Sequence, residues 1–502
     1  MTVPLVARIV VAISIAFLFG MWIAMPWVAG DTPFVLDGSN AFLACLSQHQ
    51  FHACGFTGNL NYWGLMSPIG DWPLLQHVPD LISIGLGASA HATRTRVLEL
   101  LNVAGVAGAL LLARVVLVRV GQAAWFWGFV LVLLSSPILW YARTTANEVL
   151  ASGLLVCLVA ATVLPAPPAL VALAALGASI TKESSYPFVA ALGLLGLVLA
   201  RRRTGRPIRA HAAWGAAGLA AGIVAASLFN VVRYGSVLNT NLLDPGVHTH
   251  GLARQLEYAV AVLVSPSGGI LVFWPAASVV VATACLLPLV LRSRPSVDAR
   301  PALVVGAVVL VLTAGFASWW TPFGWSAYGP RLMLPWGLPL VLIALVAYGE
   351  PLRRFTRRLI VAPWRLLVVF AVVLAFTLPN IGEMWRPGAI AGFFNQEKPP
   401  CDAPWRGGAA KWNACQHRQM WFDRPMPLYT LHGVGTPGGV ATSVIVAVGL
   451  LGCLILLREE SCLHQIERSR RSEVRPAERA GRCRNRRRRA SAARTDTSPW
   501  HP

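Results

Sequence analysis

The stretch from Trp319 to Trp336, WWTPFGWSAYGPRLMLPW, joins two long apolar runs and sets four tryptophans around one charge, Arg331. Trp and Tyr concentrate where lipid meets water, because each ring is apolar at one end and polar at the other. An aromatic turn between two apolar runs therefore reads as a membrane surface. The rest of the chain agrees. Of its 502 residues, 56% are hydrophobic and only 13% charged, and the mean hydropathy is +0.59. Soluble domains run nearer a quarter charged. Apolar runs of about 18 residues or more recur, enough to span a hydrocarbon core of about 30 Å. They are continuous rather than alternating, which predicts an all-α polytopic membrane protein and not a β-barrel.

Twelve spans are predicted, at 8–29, 97–118, 123–141, 146–165, 168–182, 185–200, 213–232, 269–291, 302–319, 331–349, 365–380 and 436–457. With the N-terminus cytoplasmic, the basic segments 201–209, 292–300, 353–358 and the tail from Arg458 all fall inside, as the positive-inside rule asks. Both termini are then cytoplasmic, and 1–457 forms one membrane domain. Two long segments, 30–95 and 381–435, lie outside. The arginine-rich tail, 458–502, lacks apolar periodicity and is expected to be disordered, touching anionic lipid. The net charge of +21 sits in these loops and the tail, so it speaks for membrane orientation and lipid contact rather than nucleic acid.

The spans are almost free of charge, so any chemistry belongs at the outer face. The first outer segment offers Asp31 and Asp37 just past the first span, where a carboxylate can accept a proton from a substrate hydroxyl. Its histidines His49, His52 and His77 lack tight ligand spacing, so no metal site is expected. Four cysteines fall in the outer segments as two close pairs, Cys45 with Cys54 and Cys401 with Cys415. Two local disulfides are expected in an oxidising compartment, with a cross-link between the segments as the alternative.

An acidic residue after the first span, in a long outer loop ending in a PLL stretch, resembles the GT-C glycosyltransferases. Bacterial relatives of protein mannosyltransferases and of the lipid A aminoarabinose transferase are the nearest. SSPILWYARTTANEVLASG (135–153), LGASITKESSYPF (176–188), LFNVVRYGSVLNTN (228–241), SPSGGILVFWP (265–275) and GWSAYGPRLMLPW (324–336) are similar to their recurring segments, in order over about residues 1–350. Many members carry Asp-Glu in the first loop, whereas this chain has Asp37-Gly38.

The resemblance implies an enzyme at the outer face of a bacterial plasma membrane. It would move a sugar from a polyprenyl phosphate to a glycan, lipid or protein acceptor, without a cofactor; a divalent metal is left open. Asp37, or else Asp31, would be the base. Arg331 and Lys182 would hold the leaving phosphate, with Arg233, Arg143, Glu148, Tyr328 and Trp320 around the donor. An O-antigen ligase or polymerase and a lipid or solute transporter are the alternatives. The topology is directly testable. Reporter fusions after residues 205, 296 and 356 should report cytoplasm, and fusions near 60 and 405 should report the outside. A cytoplasmic signal near 405 would overturn the twelve-span arrangement.

Overall fold

The structure, a computed structural model, describes residues 3–28, 32–55, 60–61, 64–65, 68–70, 73–182, 185–205, 207–239, 248–290, 298–319, 323, 329–386, 409–421 and 426–460. Sixteen helices follow in chain order up to Trp385: α1 (Val3–Ala24), α2 (Thr32–Ser47), α3 (Leu74–Gly85), α4 (His91–Arg119), α5 (Trp125–Leu134), α6 (Ile138–Tyr141), α7 (Glu148–Val163), α8 (Pro168–Ser179), α9 (Tyr186–Thr204), α10 (Arg209–Tyr234), α11 (Leu252–Val264), α12 (Ile270–Phe273), α13 (Pro275–Val290), α14 (Arg300–Ser318), α15 (Leu334–Ile360) and α16 (Pro363–Trp385). Helices Ala409–Trp421 and Pro437–Glu460 follow. Two short strands, Leu60–Asn61 and Gly64–Leu65, pair antiparallel between α2 and α3. Apart from that pair the chain is helical, a multi-pass membrane protein.

Among the described residues, seven helices are long and apolar enough to cross a membrane: α1, α4, α10, α14, α15 with its leading turn, α16 and Pro437–Glu460. The other five expected spans correspond to α5, α7, α8, α9 and α13, which are shorter or end in arginines. The expected span 123–141 is broken, because α5 ends at Leu134 and α6 starts only at Ile138. Pro137 lies in the gap and has no N–H to continue the ladder. The Ser136 hydroxyl instead donates to the Leu133 carbonyl at 2.6 Å and accepts from the Ile138 N–H at 3.2 Å.

α15 is the central post. Its apolar window is 83% buried, against 22% for α1, which faces lipid. It packs on α7 and α13, and on α4, α5, α14 and α16. Close approach depends on Gly337, where an added Cβ would stand 2.0 Å from Cζ3 of the fully buried Trp274. The Trp274 Nε1–H donates to the Val132 carbonyl at 2.8 Å, so the indole ties α13 to α5 through its one polar atom.

The described part of the segment between α1 and α4 is held by charge. Arg94 of α4 grips Asp80 of α3 with Nε to Oδ1 at 2.6 Å and Nη2 to Oδ2 at 2.5 Å. It also donates to the Leu36 carbonyl at 2.9 Å and to Asn40 Oδ1 at 3.0 Å, so one guanidinium joins α2, α3 and α4. Arg94 is 3% exposed and Asp80 0%. Removing one partner strands a buried charge at a cost of about 3–5 kcal/mol, whereas apolar replacement of both is far milder. Asp80→Leu alone should therefore lower the thermal unfolding midpoint in detergent sharply. Asp80→Leu with Arg94→Leu should recover most of the loss; a double variant worse than either single one would refute this account.

Candidate functional site

The break after α6 makes the centre of the site. The turn from Ala142 to Asn147 leaves backbone groups unpaired inside an apolar frame, and its neighbours answer them. Asn102 of α4 donates to the carbonyls of Thr144 at 2.7 Å and Ala146 at 2.6 Å, and accepts from the Leu150 N–H at 3.0 Å. The Trp27 N–H donates to the Arg143 carbonyl at 2.8 Å. The hydroxyls of Thr32 and Thr145 meet. This clamp sets Glu148 in the first turn of α7, where the helix dipole favours a carboxylate.

Beside the turn lies a narrow cleft of about 20 Å³, between α2, α3, α4 and the start of α7. Its polar wall includes Thr32, Gln76, Asn102, Thr145 and Arg331. Arg331 Nε donates to Glu148 Oε1 at 2.5 Å, and the two side chains are 17% and 12% exposed. Glu148 Oε2 and Gln76 Oε1 are buried with no hydrogen-bond partner among the described residues. A buried acceptor without a donor is costly, and a ligand hydroxyl would answer it. Lys182 follows α8, half-buried, with Nζ 5.9 Å from the centroid of Phe316. The end of α8 touches the cleft wall, since the Leu75 N–H donates to the Ile180 carbonyl at 3.1 Å.

The other expected site residues divide. Arg143 is 4% exposed and donates to the Met384 carbonyl at 2.5 Å, with its guanidinium 5.5 Å from the Trp140 ring. Burial pulls its pKa down to about 10, with Glu99 and Glu383 acting in the opposite sense. Arg233 is fully buried rather than open to a ligand. It donates to Asn230 Oδ1 at 2.5 Å and lies between the rings of Phe229 and Tyr234. Asp37 lies on the exposed face of α2, away from Thr32 and Val35, which line the cleft. Asp31, Trp320, Tyr328 and Cys401 lie outside the described residues. Cys45 is bonded to Cys54, and that loop docks on α10 through the Ala53 and Cys54 N–H groups. Cys415 is disulfide-bonded.

Three positions with no role assigned from the sequence matter here. Asn102 carries a weak signal, as the one amide side chain of α4. The second is Glu257 of α11, which meets His417 Nδ1 and accepts from Trp421 Nε1 at 3.3 Å, docking Ala409–Trp421 onto α11. His77 is the third, with Nδ1 3.1 Å from the Ser39 hydroxyl and Nε2 without a partner among the described residues. Gly38 permits the contact, because a Cβ there would stand 2.2 Å from the Ile69 carbonyl oxygen and 3.1 Å from the imidazole. Among the described residues no group of three His, Cys, Asp or Glu could hold a metal ion.

Fold and site together define a polytopic helical membrane protein with a polar cleft at the end of its central post. No family model matches the chain, and no curated protein matches it. Among solved structures, it is similar to ArnT from Cupriavidus metallidurans bound to undecaprenyl phosphate, at 13% identity and a TM-score of 0.40, covering 89% of this chain and 76% of that one. It is also similar to the apo state of that ArnT, at 16% identity and a TM-score of 0.41, covering 89% and 77%.

His77 gives the outer segment a pH limit. Burial, and then the Arg233 charge, hold its imidazole down at about 3, against 6.5 when unfolded. Between those values only the unfolded chain takes the proton. The stability this supplies is whole above pH 6.5 and drains away as the pH falls toward 3. The unfolding midpoint of the wild type should drop across that window, and His77→Gln should flatten the dependence. An unchanged slope in the variant would rule out His77 as its source.

Proposed function

We propose that the chain is a GT-C-like glycosyltransferase that moves a sugar from a polyprenyl-phosphate donor to a cell-envelope acceptor at the outer face of a bacterial plasma membrane. One observation carries the reading: Arg331 bonded to Glu148 at 2.5 Å on the wall of a polar cleft. Arginine is a permanently charged, planar donor suited to phosphate oxygens. Glu148 takes its Nε edge, fixing the plane of the fork. The stretch that supplies Arg331 is rich in rings suited to sugar faces.

In this reading the acceptor hydroxyl loses its proton to a first-loop carboxylate. Its oxygen bonds to the anomeric carbon as the bond from that carbon to the phosphate oxygen breaks. The resemblance to GT-C enzymes implies inversion at that carbon. Arg331 and Lys182 stabilise the charge that builds on the leaving phosphate. Of the two candidate bases, Asp31 is favoured, because its chain neighbour Thr32 lines the cleft while Asp37 points away from it. Gln76 and Asn102 supply polar groups for sugar hydroxyls.

The test is sugar transfer from a labelled polyprenyl phosphate in membranes, with donor titration and protein level checked for each variant. Asp31→Asn should lower turnover by about 10² or more with little change in donor binding. Asp37→Asn should stay near wild type. Arg331→Lys keeps charge but loses the fork, so it should weaken donor binding and slow turnover together. Full activity in both Asp31→Asn and Arg331→Lys would overturn the proposal.

A further inference from the structure

The sequence reading ends a span at 349 and puts a basic loop after it. The structure instead continues α15 as a helix to Ile360, bent at Tyr348, where φ is −125° and ψ is 17°. Past the bend one flank is tied to the bundle. The Gly349 carbonyl accepts from Trp125 Nε1–H at 2.7 Å, and Arg353 Nη2 donates to Gln122 Oε1 at 3.1 Å. Leu352 and Ile360 are buried.

The other flank is bare and of two kinds. Phe355 and Leu359, one turn apart, are each 41% exposed. Arg354 and Arg358, also one turn apart, are exposed beside them, and Arg357 is half-exposed. The second residue of α16 is Trp364, 62% exposed, and Arg365 lies 5.1 Å from its ring centroid. Arg365 Nη1 also donates to the Arg358 carbonyl at 2.9 Å, which closes the two helix ends into one surface. The one acid between 350 and 365 is Glu350, paired with Arg354 at 3.5 Å. The basic end of α9 meets α15 just before the bend, since Arg203 Nη2 donates to the Val346 carbonyl at 2.7 Å.

No single solvent suits such a surface. Hydrocarbon would reject the arginines, and water would reject Phe355, Leu359 and Trp364. The headgroup boundary accepts both, and anionic headgroups add charge attraction. We propose that residues 350–365 form an interfacial element that docks on the anionic phospholipids of the leaflet at this end of the bundle. The guanidinium groups of Arg357, Arg358 and Arg365 would take lipid phosphates, while the exposed rings sink to the acyl boundary. Each arginine should contribute on the order of fivefold in lipid affinity.

The experiment uses the full chain in nanodiscs, made of phosphatidylcholine alone or with a third phosphatidylglycerol. Amide hydrogen exchange is read over residues 350–366. Exchange should be severalfold slower in the anionic discs, and high salt should remove the difference. Arg357→Gln, Arg358→Gln and Arg365→Gln together should abolish the slowing, while the same three changed to Lys should retain it. Equal exchange in the two discs, or slowing undiminished in the Gln variant, would overturn the proposal. So would slowing lost equally in the Lys variant. Slowing produced only by an added soluble protein would assign the surface to a protein partner instead.

Discussion

A helix break inside an apolar bundle exposes carbonyls and amides where no water can reach them. In this chain the break falls after α6, and Asn102 answers it with three hydrogen bonds to the turn and to the start of α7. What surrounds the cleft depends on that answer. The turn carries Arg143 into the frame and opens α7 at Glu148, and Glu148 in turn orients Arg331 across the cleft. Other bonds meet at the same turn from outside it: Trp22 donates to the Leu139 carbonyl at 2.9 Å, and Trp27 to the Arg143 carbonyl.

The cations around the cleft end of the bundle are divided between two tasks. Arg94 and Arg233 are spent on architecture. The first is locked by Asp80, and the second is sealed between rings beside the docked disulfide loop. Arg143 is also held inside, by a backbone carbonyl and an indole. Arg331 and Lys182 keep partial exposure and stand at or beside the cleft. A buried guanidinium needs its donors matched to survive desolvation. Arg233 meets that need through Nη2 on Asn230 and the two rings against its guanidinium.

Much of this organisation is legible in the amino-acid order. Long apolar runs make membrane helices because nothing else satisfies the backbone in lipid. Glu148 and Arg331 stand out in the sequence as charges at the ends of such runs. Two features could not be read that way. The expected span 123–141 hid a break, because Pro137 sits within an apolar stretch whose composition does not change. The basic segment after residue 349 looked like a loop, because charge marks the end of a span but not the end of a helix.

Periodicity and composition determined the membrane class, the helical content, the basic faces and the short list of charged candidates. These follow from local chemistry, since each run must satisfy its own backbone and seek its own solvent. Only the tertiary structure decided which candidates meet. It paired Arg331 with Glu148, whose positions lie 183 residues apart, and Arg94 with Asp80. It also buried Arg233 and left Asp37 outside the cleft. Those outcomes turn on which helix faces pack together and on whether each buried charge finds a partner, and no single stretch of sequence carries that information.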